Sequence, residues 1–150
     1  MWFAEWIFWG SLVFMFYAYA GYLLVLIGLS VFRSRPVLTG DIQPMVSLII
    51  TAYNEEVRIT EKIENSLRQQ YPRERLEIVV ASDCSSDRTD EIVLSYASSG
   101  VRLVRAAERK GKEAAQKLAV SQTSGEVLVF SDVATTLPTE GIANIVKPFN

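Results

Sequence analysis

The feature that most constrains this chain is a run of 27 residues, Trp6 to Phe32, without a single charged side chain. As a helix it would extend about 40 Å at roughly 1.5 Å per residue, against an apolar bilayer core of about 30 Å. It therefore crosses a bilayer with room to tilt. Trp2, Trp6 and Trp9 cluster at one end, as in an interfacial aromatic belt, and Arg33 and Arg35 flank the other. The short N-terminus carries only Glu5, so the positive-inside rule places everything after the run in the cytoplasm. A cleaved signal peptide is the competing reading, because Ala18-Tyr19-Ala20 has the form of a cleavage site. No basic residue precedes the run, and it continues twelve residues past Ala20, which disfavours cleavage. A buried core helix is disfavoured by the length and by the lack of a polar face. Ala18, Ala20, Gly21 and Gly28 offer a small-residue face toward other transmembrane helices.

Past the run the composition changes. All 15 Lys and Arg and all but one of the 17 Asp and Glu lie beyond it. The net charge of −2 and the lack of a basic block point away from nucleic acid as a partner. The chain has no histidine, which excludes imidazole acid–base chemistry and histidine metal ligands. The one cysteine, Cys84, cannot form an internal disulfide.

A linker over residues 35–44 is punctuated by Pro36, Gly40 and Pro44. Residues 45–150 then alternate strand and helix patterns. Strands are predicted at Val46–Ile50, Leu76–Ala81, Val101–Val104 and Val127–Phe130. The first helix is expected to start at an Asn54 cap, with Val57, Thr60, Ile63 and Leu67 at helical spacing, and to stop at Tyr71-Pro72. Further helices are predicted over Thr89–Ala97, closed by Gly100; over Glu113–Ser121; and over Thr139–Val146, with Pro138 at its start. Such alternation implies an α/β fold with a largely parallel sheet.

Ligands of open α/β sheets bind at the carboxyl ends of the strands. Here those ends carry Tyr53, Asn54 and Glu55; Asp83 and Asp87; Arg109, Lys110 and Lys112; and Asp132. Carboxylates beside a basic loop suit a nucleoside diphosphate with a divalent cation. Plainer roles stand beside this one. Ser85, Ser86 or Asp87 can cap the next helix, Lys112 can be a solvated charge, and Asp132 can cap a turn. Arg109-Lys110-Gly111-Lys112 is not a Walker A loop, and no G-x-G-x-x-G occurs.

Several of these stretches together resemble one family. Val46-Ser47-Leu48-Ile49-Ile50-Thr51-Ala52-Tyr53-Asn54-Glu55-Glu56 resembles the first-strand motif of family 2 glycosyltransferases, which have the GT-A fold. Ser82-Asp83-Cys84-Ser85-Ser86-Asp87-Arg88-Thr89 resembles their D-G-S-x-D-x-T loop, and Arg109-Lys110-Gly111-Lys112 their G-K loop. Phe130-Ser131-Asp132-Val133-Ala134 sits where the D-x-D motif belongs. The resemblance covers about residues 46–137 and implies a Rossmann-like, mostly parallel sheet.

It also implies roles. Ala52, Tyr53 and Glu55 would line a nucleoside pocket, and Asp83 would bind the base, most often uracil. Lys112 would lie near the nucleotide. Asp132 would face the ribose and diphosphate and ligate a divalent Mg or Mn ion. Asp87 and Arg109 are further candidates for the same site. The implied reaction is transfer of a sugar from a nucleotide-diphospho-sugar, a UDP-sugar first, to a glycan or lipid acceptor with inversion. The implied setting is a single-pass protein of the bacterial inner membrane in polysaccharide or glycolipid synthesis.

Three positions depart from the family pattern: Cys84 replaces glycine, Lys117 stands where many members carry asparagine, and Ala134 replaces the second Asp of D-x-D. After Asp132 the only acidic residue is Glu140, and no Q-x-x-R-W occurs. An inverting transfer needs a base for the acceptor hydroxyl. The expectation is therefore a donor-binding half without its catalytic base. The alternative is a non-catalytic, membrane-anchored nucleotide-sugar binder or a partner of a full-length glycosyltransferase. A nucleotidyltransferase is a weaker alternative, because Thr51 to Glu56 lacks the glycine-rich loop such an enzyme uses.

Overall fold

The computed structural model describes residues 2–33, Gly40 and 42–149. The predicted linker and Arg35 lie largely outside the described residues. The chain separates into two compact units, residues 1–37 and 38–150.

The first unit is helical throughout its described part: α1 (Trp2–Phe16), a π-helical segment Tyr17–Gly21, and α2 (Tyr22–Arg33). A 30-residue stretch, Trp2–Val31, is long and apolar enough to cross a membrane. Its large apolar side chains, Trp2, Phe14 and Leu24 among them, are exposed. Its two serines use their hydroxyls within the helix: Ser11 Oγ donates to the Ile7 carbonyl and Ser30 Oγ to the Ile27 carbonyl, both at 2.8 Å. That arrangement pairs both serine hydroxyl protons within the helix.

The second unit is a four-stranded sheet with helices on both faces. Its strands are β1 (Val46–Ala52), β2 (Leu76–Ser82), β3 (Val101–Arg105) and β4 (Val127–Asp132). The order is β3-β2-β1-β4 and every pair is parallel. The helices are α3 (Ile59–Leu67), α4 (Thr89–Ser95), α5 (Lys112–Val120) and α6 (Gly141–Val146). The period-2 alternation of strands sends Val46, Leu48, Ile50 and Ala52 of β1 to one face. There they pack with Ile59 and Ile63 of α3, Val93 of α4, and Ile142 and Val146 of α6. Ile49, Val79, Ala81 and Val104 point to the other face, against Ala115 and Ala119 of α5. The chain reverses its course across the sheet between β1 and β4, so their carboxyl ends border the crevice where this kind of sheet takes its ligands.

The turn into β4 is pinned at the opposite edge. Gly125 N–H donates to Ser47 Oγ at 2.9 Å, and Ser47 Oγ donates to Glu77 at 2.6 Å. A Cβ at Gly125 would stand 2.4 Å from the Ser47 nitrogen, which leaves room for glycine alone.

Two helix starts differ from the sequence reading. Asn54 does not cap α3, which begins at Ile59; Val57 precedes the helix and is exposed. Asn54 instead sits in the left-handed region at φ 52°, which asparagine tolerates. The last helix begins at Gly141, not Thr139, because residues 135, 137 and 138 are bonded to Lys62, Asn65 and Gln69 and a turn at residues 139–140 precedes the helix. Gly100, at φ 83°, closes the segment after α4 as expected.

Candidate functional site

The loops after β1 and β2 are bonded to each other. Asn54 Oδ1 accepts from Ser86 N–H at 2.8 Å, and Asn54 Nδ2 donates to Ser86 Oγ at 3.2 Å. Glu55 N–H donates to Thr89 Oγ1 at 2.8 Å and Glu56 N–H to Asp87 Oδ2 at 3.0 Å. In return, Arg88 N–H donates to Glu56 Oε2 at 3.0 Å. Asp87 also accepts from the N–H of Thr89, the first residue of α4, at 3.0 Å, while Arg88 holds the cap position itself. Burial alone would raise the Asp87 carboxyl, but hydrogen bonds from Thr89 and Glu56 outweigh it and hold the pKa below its ordinary value of 3.8.

Asp83 is buried at the end of β2. Its Oδ1 accepts from Lys110 N–H at 3.0 Å and Gly111 N–H at 3.1 Å, and its Oδ2 accepts from Gly111 N–H at 3.0 Å. The carboxylate thus fastens the loop before α5 to the end of β2. Cys84, next along, adopts φ 58° where the family motif carries glycine. A side chain there costs roughly 1–2 kcal/mol of backbone strain.

The remaining candidates fall into pairs. The Arg109 guanidinium carbon stacks 4.0 Å from the centre of the Tyr53 ring. Glu55, following Tyr53, turns its carboxylate to Arg58 at 2.8 Å. Ala52 is buried under the same loop. Lys112, the first residue of α5, places Nζ 2.5 Å from Asp132 Oδ1 at the end of β4. Both side chains are about half exposed. Gly111, at φ 90°, makes the turn that brings Lys112 there. Gln116, one turn into α5, donates to Thr51 Oγ1 at 3.0 Å and holds the helix to β1. The structure therefore gathers all the predicted strand-end residues on one edge. It joins Lys112 to Asp132 and Tyr53 to Arg109, and it gives Asp83 and Asp87 bonds to backbone.

The chain is similar to known proteins. The family described as Glycosyl transferase family 2 matches residues 47–150. The chain belongs to that family. A probable glycosyltransferase, YdaM, of Bacillus subtilis is 35% identical over 98 residues, covering 62% of this chain and 23% of the relative. Among solved structures, the mannosyltransferase PcManGT from Pyrobaculum calidifontis, in complex with GDP-Man and Mn2+, superposes with a TM-score of 0.78 at 30% identity. It covers 91% of this chain and 42% of its own. TarS of S. aureus, in complex with UDP-GlcNAc, gives a TM-score of 0.61 at 28% identity over 67% of this chain and 30% of its own. The chain thus spans less than half the length of these three proteins.

The residues that sequence reading passed over lie on α3. Its buried positions are Ile59, Lys62, Ile63 and Ser66. Lys62 runs beneath the turn after β4, donating to Ser131 Oγ at 2.7 Å and to the Thr135 carbonyl at 2.5 Å. Asn65 exchanges two bonds with Leu137, donating to its carbonyl and accepting from its N–H, both at 2.9 Å. Gln69 donates to the Pro138 carbonyl at 2.9 Å and accepts from Ile142 N–H at 3.2 Å. Positions 62 and 65 lie on α3 and Gln69 just past its end; together they supply hydrogen bonds to a segment with no ladder of its own. Burial pushes the Lys62 ammonium below the ordinary lysine value, and the charge of Asp132 partly restores it. A signal was present: Ile59, Ile63 and Ser66 mark a face that includes position 62.

Proposed function

We propose that residues 38–150 hold the nucleotide-diphosphate part of a sugar donor for glycosyl transfer. The observation that carries this reading is the Lys112–Asp132 pair, 2.5 Å apart at the crevice between β1 and β4. An ammonium and a carboxylate at one exposed point can separate around an incoming diphosphate. Lys112 then turns to phosphate oxygen, and Asp132 is freed to face a divalent cation. Tyr53 and Arg109 flank the place of the nucleoside, with Ala52 and Glu55 beneath.

The cation fits this site in one form only. Among the described residues no group of three or more His, Cys, Asp or Glu gathers, and Ala134 offers no side-chain oxygen. Asp132 is one ligand, enough for a Mg2+ or Mn2+ that completes its shell with waters and donor phosphates. When bound, such an ion neutralises charge on the departing diphosphate. The chain's own residues orient the donor and supply the Lys112 charge.

The relatives support the donor class: PcManGT was solved with GDP-Man and TarS with UDP-GlcNAc. We infer that Trp2–Val31 crosses a membrane, with the sheet domain on the cytoplasmic side. Titration calorimetry of the full chain in detergent, with UDP or GDP and Mn2+, tests the donor reading. Binding strengthened by Mn2+ is expected, with Lys112→Met weakening it about tenfold for a lost charge-assisted contact. Folded protein that gives no heat with either nucleotide sinks the reading.

A further inference from the structure

We propose that Lys62 is a positioning residue for Asp132: its ammonium fastens the turn after β4 to α3 and so sets where the Asp132 carboxylate stands. The proposal rests on the donor reading above. Lys62 grips both ends of the turn, through Ser131 Oγ at 2.7 Å and the Thr135 carbonyl at 2.5 Å. Thr135 N–H closes the turn onto the Asp132 carbonyl at 3.1 Å. Among the described residues, the Asp132 carboxylate meets one other side chain, the exposed Lys112. That partner is the group a diphosphate would draw away. The place of the Asp132 carboxylate then follows from its backbone, and the backbone is held from below by Lys62.

Charge matters as well as connection. Asn65 on α3 and Gln69 just past its end hold residues 137, 138 and 142 with neutral amides. Lys62 is the member of the set that reaches the turn containing Asp132, and it is the one that carries a charge. Only 2% of it is exposed. Burying an ammonium is costly unless it is bonded, and here it is bonded to both ends of the turn. A methionine of similar length would leave Ser131 Oγ and the Thr135 carbonyl without this donor. Ala134, facing solvent within the same turn, leaves Asp132 as the sole carboxylate to be placed.

The test is the gain in nucleotide affinity that Mn2+ confers, measured by calorimetry on the full chain in detergent with UDP and with GDP. In Lys62→Met that gain should fall about tenfold, as for loss of a residue that orients a metal ligand, while metal-free affinity stays unchanged. Lys62→Arg should restore most of it. Ser131→Ala, which removes one acceptor and keeps the charge, should reduce the gain in the same direction by a smaller factor. It carries the test if Lys62→Met does not fold by circular dichroism. If the variants keep the full gain, or lose metal-free and Mn2+-supported binding equally, Lys62 only stabilises the fold; the proposal falls and the donor reading stands. Wild-type protein that binds nucleotide with no gain from Mn2+ also overturns it. A wild type that binds neither nucleotide removes the donor reading and this proposal together.

Discussion

The loops after β1 and β2 hold each other, while the turn after β4 is held from beneath. On the β1–β2 side, Asn54, Glu55 and Glu56 exchange bonds with Ser86, Asp87, Arg88 and Thr89, and Asp83 ties in the loop before α5. On the β4 side, Asp132 stands exposed, paired with Lys112 above and carried on a turn that Lys62 grips below. The difference teaches how one edge can serve a donor with two unlike ends. On the proposed donor reading, a flat nucleoside would meet a preformed frame, which lowers the cost of ordering on binding. A charged diphosphate would meet side chains able to change partners.

The comparison breaks most severely at Asp83. Asp83→Ala strips acceptors from two backbone N–H groups in a part-buried loop, and should destabilise the domain by about 3 kcal/mol. Urea unfolding followed by circular dichroism measures it. A loss near that of an exposed ion pair, about 0–1 kcal/mol, would mean the frame is looser than the bonds suggest. The same assay sharpens the other side: Lys112→Met removes an exposed pair and should cost no more than about 1 kcal/mol of stability, whatever it does to nucleotide binding.

Cys84 gives a gain of stability on the framed side. Its φ of 58° suits glycine, so Cys84→Gly should stabilise the domain by about 1 kcal/mol, seen as a higher urea midpoint at unchanged slope.

The smallest effect is in pH. The Asp87 carboxyl is held below its ordinary value of 3.8 by bonds from Thr89 and Glu56 against an opposing burial effect. A lowered carboxyl stabilises the folded state above its unfolded pKa, and the contribution fades as pH falls through the lowered folded value. The stability gap between wild type and Asp87→Asn should therefore be full at pH 7 and close below 3.8. A gap independent of pH would show that Asp87 acts through shape and not through charge.

Much of this edge was legible from the chain. Apolar runs ending in acidic, hydroxyl-rich loops mark strand ends, and four such runs with helices between them imply parallel strands sharing one edge. Asp132, Lys112 and Asp83 were found that way. What the loops do to one another was not legible. Asn54 looked like a helix cap because asparagine before an apolar period usually is one. Its bonds to Ser86, 32 residues away, turn it into a cross-link instead. Lys62, inside the first predicted helix, carries no local mark of its distant acceptors.

The sequence by itself determined the two-part character of the chain, the order of its strands and helices, and the residue types at each strand end. Those follow from local rules: hydropathy over a window, the periods of helix and strand, and the stops that glycine and proline impose. Tertiary structure alone decided that α3 lies under the turn after β4 and that β1 takes β4 as its second neighbour. Buried lysines are rare because desolvation is costly, so a lysine is read as exposed until its acceptors are known. The acceptors of Lys62 are Ser131 and Thr135, 69 and 73 residues along the chain, and only the packing of the sheet brings them within reach.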